Sequence, residues 1–211
     1  MTYTYRDNMT NTIMDMIAYM RARYRRVQPI RLDIHFPKRG YYQDGSNDEI
    51  MNFFKNLHRH FSHHVIEMLY CATREQVSSH NPHYHVFILV DGDRHNGIWG
   101  VFEICCRIWI TIIRKRLMEQ GLTEEDIGNI DMTGLIHYRK EDTRYDLPKM
   151  EVMCWPNKSA EGEERDRQQR LSDQVADNVF KHAKYIAKDI TKGQNPPGTR
   201  ELFASRIPRA F

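Results

Sequence analysis

The sequence predicts an α+β fold of the ferredoxin-like, or split-βαβ, kind: a central antiparallel sheet with helices packed on one face. Three observations lead there. "IRLDIHF" (30–36) alternates apolar and polar residues with the period of a strand. Two apolar runs, "HVIEMLYCATREQ" (64–76) and "HYHVFILV" (83–90), are separated by the breaker-rich "SSHNP", which reads as an antiparallel pair. Segments with helical spacing of apolar residues lie before, between and after these strands.

In chain order, "NTIMDMIAYMRARYRR" (11–26) places Ile13, Ile17 and Met20 on one face of an amphipathic helix that Pro29 stops. This helix is taken as an extension, residues 1–27, ahead of a main domain at 28–211. After the first strand, "SNDEIMNFFKNLHRHFSHH" (46–64) has Ser46 and Glu49 at capping-box spacing. It carries Ile50, Phe53, Phe54, Leu57 and Phe61 at core intervals. The hairpin follows. "GIWGVFEICCRIWITIIRKRLMEQGL" (97–122) then puts Trp99, Phe102, Cys106, Trp109 and Ile113 on a buried stripe, with Gly121 past its end. "MTGLIHYRKED" reads as a strand and "YDLPKMEVMCWP" as a shorter one. "NKSAEGEERDRQQR" has no apolar period and is expected as a flexible insertion near 156–171. The last helix, "LSDQVADNVFKHAKYIAKDI", turns Leu171, Val175, Val179, His182, Ala183 and Ile186 inward.

Composition bounds the function. At 211 residues the chain can fill a core without a metal staple. With 40% hydrophobic and 28% charged residues it has the profile of a soluble globular protein, and no apolar run approaches the ~20 residues a bilayer needs. "MTYTYRDNMT" lacks the pattern of a signal peptide, so a cytoplasmic location is expected. Cys71, Cys105, Cys106 and Cys154 have no CxxC spacing and read as reduced thiols. A net charge of +3 says little, but "MRARYRRVQPIR" and the tail beyond residue 180 are basic and compatible with a phosphate backbone. Arg21, Arg23, Arg25, Arg26, Arg31, Lys184, Lys192 and Arg206 are the candidate contacts if that backbone is DNA, a solvated face being the plainer reading. Tyr24, Tyr41 and Tyr42 could stack on bases.

The chemistry concentrates around "PHYHVFILV". Residues two apart on a strand point to the same side, so His83 and His85 can converge on one ion. Glu75, near the end of the preceding strand, can lie beside His83 across the hairpin. Two imidazoles and a carboxylate make an open site for a divalent ion, Mg²⁺ or Mn²⁺, that also accepts a phosphate oxygen. The helical histidines His58, His60, His63 and His64 have no acidic or thiolate companion and read as structural or solvated. Downstream, Tyr185 and Lys188 stand three apart in "YIAK". A tyrosine with pKa about 10 is mostly protonated at neutral pH, so it needs a cation beside it and a polarised target to act as nucleophile. His182, one turn before Tyr185, is read as packing, with a place beside the site as the alternative.

These residues resemble a known family. "PHYHVFILV" resembles the His-hydrophobic-His motif of HUH endonucleases, "YIAK" their YxxK motif, and "IRLDIHFP" the strand before them in rolling-circle replication initiators. The frame from residue 28 to 208 is similar to inovirus-type replication proteins and to the YagK/YfjJ C-terminal domain family. The resemblance implies that His83, His85 and Glu75 hold Mg²⁺ or Mn²⁺. It implies that Tyr185 forms a 5′-phosphotyrosine link, and that Lys188 offsets charge at the phosphate. The implied partners are single-stranded or hairpin DNA at a replication origin, together with the host replication machinery of a bacterial cytoplasm. One YxxK implies a single-tyrosine enzyme. A non-catalytic DNA-binding regulator on the same scaffold, or a structural zinc protein, are the alternatives.

Overall fold

The computed structural model describes residues 5–41, 44–76, 81–95, 97–141, 147–188 and 200–208. Its core is an antiparallel sheet of strands β1 (Arg26–Ile34), β2 (Met68–Glu75), β3 (His83–Asp91), β4 (Ile136–Tyr138), β5 (Met153–Cys154) and β6 (Leu202–Ala204). The order is β4-β1-β3-β2-β6, with β5 also pairing with β1. The helices are α1 (Asp7–Arg23), α2 (Asp48–His63), α3 (Ile98–Glu119), α4 (Glu124–Gly128) and α5 (Gly162–Ala183), the last running into a 3₁₀ turn at Lys184–Ala187. The α+β class and the central sheet are those the sequence predicts.

The helices, however, cover both faces. Ile30, Leu32 and Ile34 of β1, with Tyr84, Val86, Ile88 and Val90 of β3, pack against Phe53, Phe54, Leu57, Val101, Trp109 and Ile113 of α2 and α3. The intervening residues face the other way: Val27, Leu69, Cys71, Phe87 and Leu89 meet Met9, Ile13, Met16 and Met20 of α1 and Ala176, Val179 and Ala183 of α5. Helix α1 is thus one wall of a second core, not an appendage. A strand buried on both sides reads as an unbroken apolar run, which accounts for "HVFILV" in β3.

Four local details differ from the sequence reading. Helix α1 ends at Arg23, and Pro29 lies inside β1 opposite Leu89. It fits there because β5 pairs only with Arg26 and Val27 and β4 only with Leu32 to Ile34, leaving the flank at Pro29 between them. The capping box of α2 does not form: Asn47 is the N-cap, and Glu49 instead accepts from the Tyr41 hydroxyl at 2.6 Å. In α3 the buried stripe is Val101, Cys105, Trp109, Ile113 and Leu117, so Trp99 is exposed, and Leu171 of α5 is exposed likewise.

The expected insertion near 156–171 is for the most part the first half of α5. That half is polar all round, so no apolar stripe marks it. Glu164 accepts from Arg167 at 2.9 Å and from Gln168 at 2.7 Å, and Gln169 donates to Asp173 at 3.1 Å, pairs that support an exposed helix. The four cysteines are free thiols. Among the described residues no helix is long and apolar enough to cross a membrane.

Candidate functional site

The side chains of Arg31 and Asp33 of β1, with His35 just past its end, lie on the face covered by α1 and α5. At the same end of that face, β3 contributes His83 and His85 and β2 contributes Thr73 and Glu75. The register sets Glu75 opposite His83, Thr73 opposite His85, and Asp33 opposite His85 from the other side. The apolar layer therefore gives way to a polar corner built on three adjacent strands.

Glu75 Oε2 lies 3.2 Å from both His83 Nε2 and His85 Nε2. One donor atom from each of the three residues falls within 4.8 Å of the others, and no other such group of three exists among the described residues. The donor set fits a divalent ion on its own chemistry: two imidazole nitrogens converge on one carboxylate oxygen, all borne by paired strands.

His85 is fixed from behind. Its Nδ1 is 2.6 Å from Asp33 Oδ1, so the Nδ1–H donates there and Nε2 faces Glu75. Burial would push Asp33 up, but the hydrogen bond and charge of His85, with Arg31 and Arg139, hold its carboxyl well below the usual range. Arg139 Nε donates to Asp33 Oδ2 at 2.6 Å. Burial would push His85 down, yet the hydrogen bonds of Asp33 and Glu75 outweigh it and raise the imidazole above its ordinary value. His35 stacks on His83 at 5.6 Å and meets His137 edge-on at 5.3 Å. Burial first, then the neighbouring His83, push His35 down to about 4.

Tyr185 reaches the same corner. It sits in the 3₁₀ turn that follows α5, and its ring meets that of His85 edge-on at 5.9 Å. Two cations lie over the phenol ring: Lys188 Nζ at 3.3 Å and Arg31 Cζ at 4.2 Å from its centroid. The turn is tied down on two sides. Thr73 Oγ1 donates to the Ile186 carbonyl at 3.1 Å, and the Arg6 N–H donates to the Ala187 carbonyl at 3.0 Å, beside the bridge between Tyr5 and Lys188. Lys188 lies just past the turn, so its closeness to Tyr185 comes from this bend and not from a shared α-helical face.

His182, read as packing, is buried and also holds the site. Its Nδ1 faces the Pro148 carbonyl at 2.7 Å, which assigns the proton to Nδ1, and Nε2 then accepts from Arg31 NH1 at 3.3 Å. Sequence reasoning did not single out Asp33 or Arg139 as parts of the corner, weighed His182 between packing and a place beside the site, and counted Arg31 among the candidate DNA contacts. Alternation of Arg31, Asp33 and His35 is the available signal, but with helices expected on one face of the sheet alone it did not point to a buried polar corner.

The other described candidate DNA contacts lie elsewhere, except Lys184, which opens the 3₁₀ turn that carries Tyr185. Arg26 is seven residues from Asp33 along β1, roughly 23 Å at the usual rise of a strand. Arg21 is bound to Asp173 at 2.7 Å, Arg23 lies 3.4 Å from Glu67, and Arg25 is exposed. Lys184 covers the Tyr5 ring at 4.1 Å, Arg206 is exposed beyond β6, and Lys192 lies outside the described residues. Tyr41 is buried against Phe36, and the Tyr24 hydroxyl donates to Glu67, so both are packed and paired; Tyr42 lies outside the described residues.

With this geometry in place, comparison with known families bears on the N-terminal half. Residues 2–100 match the model of the YagK/YfjJ C-terminal domain. The matched stretch takes in α1, Asp33, Glu75, His83 and His85, and ends within the first turn of α3, before Tyr185. No curated protein and no solved structure matches the chain.

Proposed function

We propose that the protein is a metal-dependent, single-tyrosine endonuclease that nicks and rejoins DNA to start rolling-circle replication of a phage, prophage or related element. The observation that supports this best is the placement of Tyr185, with Lys188 and Arg31 over its ring, edge-on to His85 of the Glu75/His83/His85 group.

Glu75, His83 and His85 would hold Mg²⁺ or Mn²⁺, which when bound supplies Lewis-acid polarisation of the scissile phosphate. Asp33 keeps the His85 tautomer and ring fixed. Tyr185 Oη attacks phosphorus and gives up its proton to solvent. The bond from phosphorus to the 3′ oxygen breaks, that oxygen takes a proton, and the 5′ phosphate remains on the tyrosine. Lys188 and Arg31 offset the negative charge that gathers at the phenol oxygen and phosphate. Attack of a 3′-OH on the phosphotyrosine reverses the step and rejoins a strand. The partners of this reading are single-stranded or hairpin DNA at a replication origin, and host replication proteins that extend the free 3′-OH in the bacterial cytoplasm.

The test is incubation of the protein with labelled single-stranded DNA from its own element and Mn²⁺, followed by denaturing electrophoresis. A covalent adduct that EDTA abolishes and His85→Ala eliminates, with the fold of that variant intact, is expected. Unfolding of His85→Ala together with tight zinc stoichiometry would replace this reading with a structural zinc protein. Sequence-specific DNA binding without any adduct would replace it with a regulator.

A further inference from the structure

A second cluster of chemistry-bearing side chains lies far from the triad. Between the C-terminal half of α2 and the middle of α3 is a cleft of about 520 Å³, lined by Arg59, His60 and His63 from α2, by His64 just past it, and by Arg107 and Thr111 from α3. No carboxylate lines it. Arg59 donates to Asn56 Oδ1 at 3.0 Å, and neither Arg59 nor Arg107 has a carboxylate partner among the described residues. The rings of His60 and His64, one turn apart, are 5.0 Å from each other. Glu103, one turn before Arg107, does not line the cleft and acts instead on the Cys106 thiol.

A helix face that only keeps a protein in solution mixes both signs of charge. This cleft carries one sign, from two helices, in a concave surface. Burial lowers the His60 pKa, and the charges around it act the same way: His64, His63, Arg107 and the nearby His95 are all basic. An anion in the cleft would relieve that mutual repulsion, and two guanidinium forks suit phosphate oxygens.

We infer that the α2–α3 cleft binds backbone phosphates of a nucleic-acid strand, as a holding site distinct from the Glu75/His83/His85 corner. The inference rests on the reading of DNA as substrate and extends it. His63 precedes β2, whereas Glu75 ends that strand, and the cleft lies between α2 and α3, which cover the opposite face of the sheet from α1 and α5. A strand cut at Tyr185 would thus be gripped at a second point across the sheet.

The test is fluorescence anisotropy of a labelled single-stranded oligonucleotide in EDTA, titrated over a range of salt at about pH 8 and about pH 6. Arg59→Gln with Arg107→Gln is expected to weaken binding about tenfold or more. It should also flatten the dependence of log K on log salt by roughly 1.4, the loss of two single-strand phosphate contacts. The parent should bind more tightly at the lower pH, where a bound phosphate favours the protonated His60, and His60→Gln should reduce that gain. Unaltered affinity and salt slope in the arginine variant would overturn the inference. So would saturable binding of inorganic phosphate that the oligonucleotide does not displace, since that would mark a small-anion site. Adduct formation measured on the same proteins with Mn²⁺ in place of EDTA separates the two readings. Loss of binding in the cleft variants with no adduct in the parent removes the nuclease and leaves the cleft. An adduct in the parent with cleft variants that bind normally removes the cleft alone.

Discussion

His85 Nδ1 and Asp33 Oδ1 stand 2.6 Å apart across the β1–β3 pair, the carboxylate behind the imidazole that faces Glu75. A ligand imidazole held this way keeps its tautomer and its aim. Asp33→Asn is expected to lower Mn²⁺ affinity by about 10–100-fold, the usual effect of removing such an outer partner. Isothermal titration well below the melting temperature measures it; unchanged affinity would show that Asp33 serves the fold alone.

Arg31 is almost completely buried, lies 3.6 Å from Asp33, donates to His182 and covers Tyr185. Its replacement removes one charge from a buried set and leaves His182 Nε2 without this donor. Arg31→Met is expected to cost about 3–5 kcal/mol in urea unfolding. A loss under about 1 kcal/mol would mean that Arg139 alone can balance Asp33.

The depressed pKa of His35 links stability to pH. A group whose folded value lies below its unfolded one leaves the folded state undisturbed at high pH and penalises it as the unfolded chain takes up protons. For His35 that loss begins near the ordinary histidine value of 6.5 and is complete below about 4. In EDTA, His35→Gln is therefore expected to reduce the fall in stability between those pH values relative to the parent. Parallel stability curves for the two proteins would contradict the assignment.

Trp109 is fully buried among Phe36, Phe53 and the sheet, and its Nε1–H donates to the His35 carbonyl at 2.8 Å. Trp109→Ala is expected to cost about 3–5 kcal/mol through the cavity and the lost bond. Because Trp109 braces the strand end that carries His35, metal affinity should fall as well; calorimetry on the same variant checks both.

Much of this was legible in the sequence for physical reasons. The strands β1, β2 and β3 announce themselves by apolar runs and breakers, and the pairing of Glu75 with His83 follows from counting back across a hairpin. The fold of 162–171 was hidden because an exposed helix held by Glu164, Arg167 and Gln168 has no apolar period. The second cover of the sheet was hidden because α1, ahead of the first strand, gave no sign of which face it would pack on. That cover turned Arg31 and Asp33 from solvent residues into parts of the site. Lys188 was placed beside Tyr185 by spacing on a regular helix, whereas the contact depends on a 3₁₀ turn anchored by Thr73, a long-range bond that spacing does not encode.

The most direct test of the central claim is to digest the DNA-linked protein and identify, by mass spectrometry, the residue that carries the nucleotide phosphate. The account predicts a single modified peptide with the phosphate on Tyr185, absent from Tyr185→Phe while that variant still binds Mn²⁺. A phosphate on another residue, or an adduct that survives Tyr185→Phe, would contradict it.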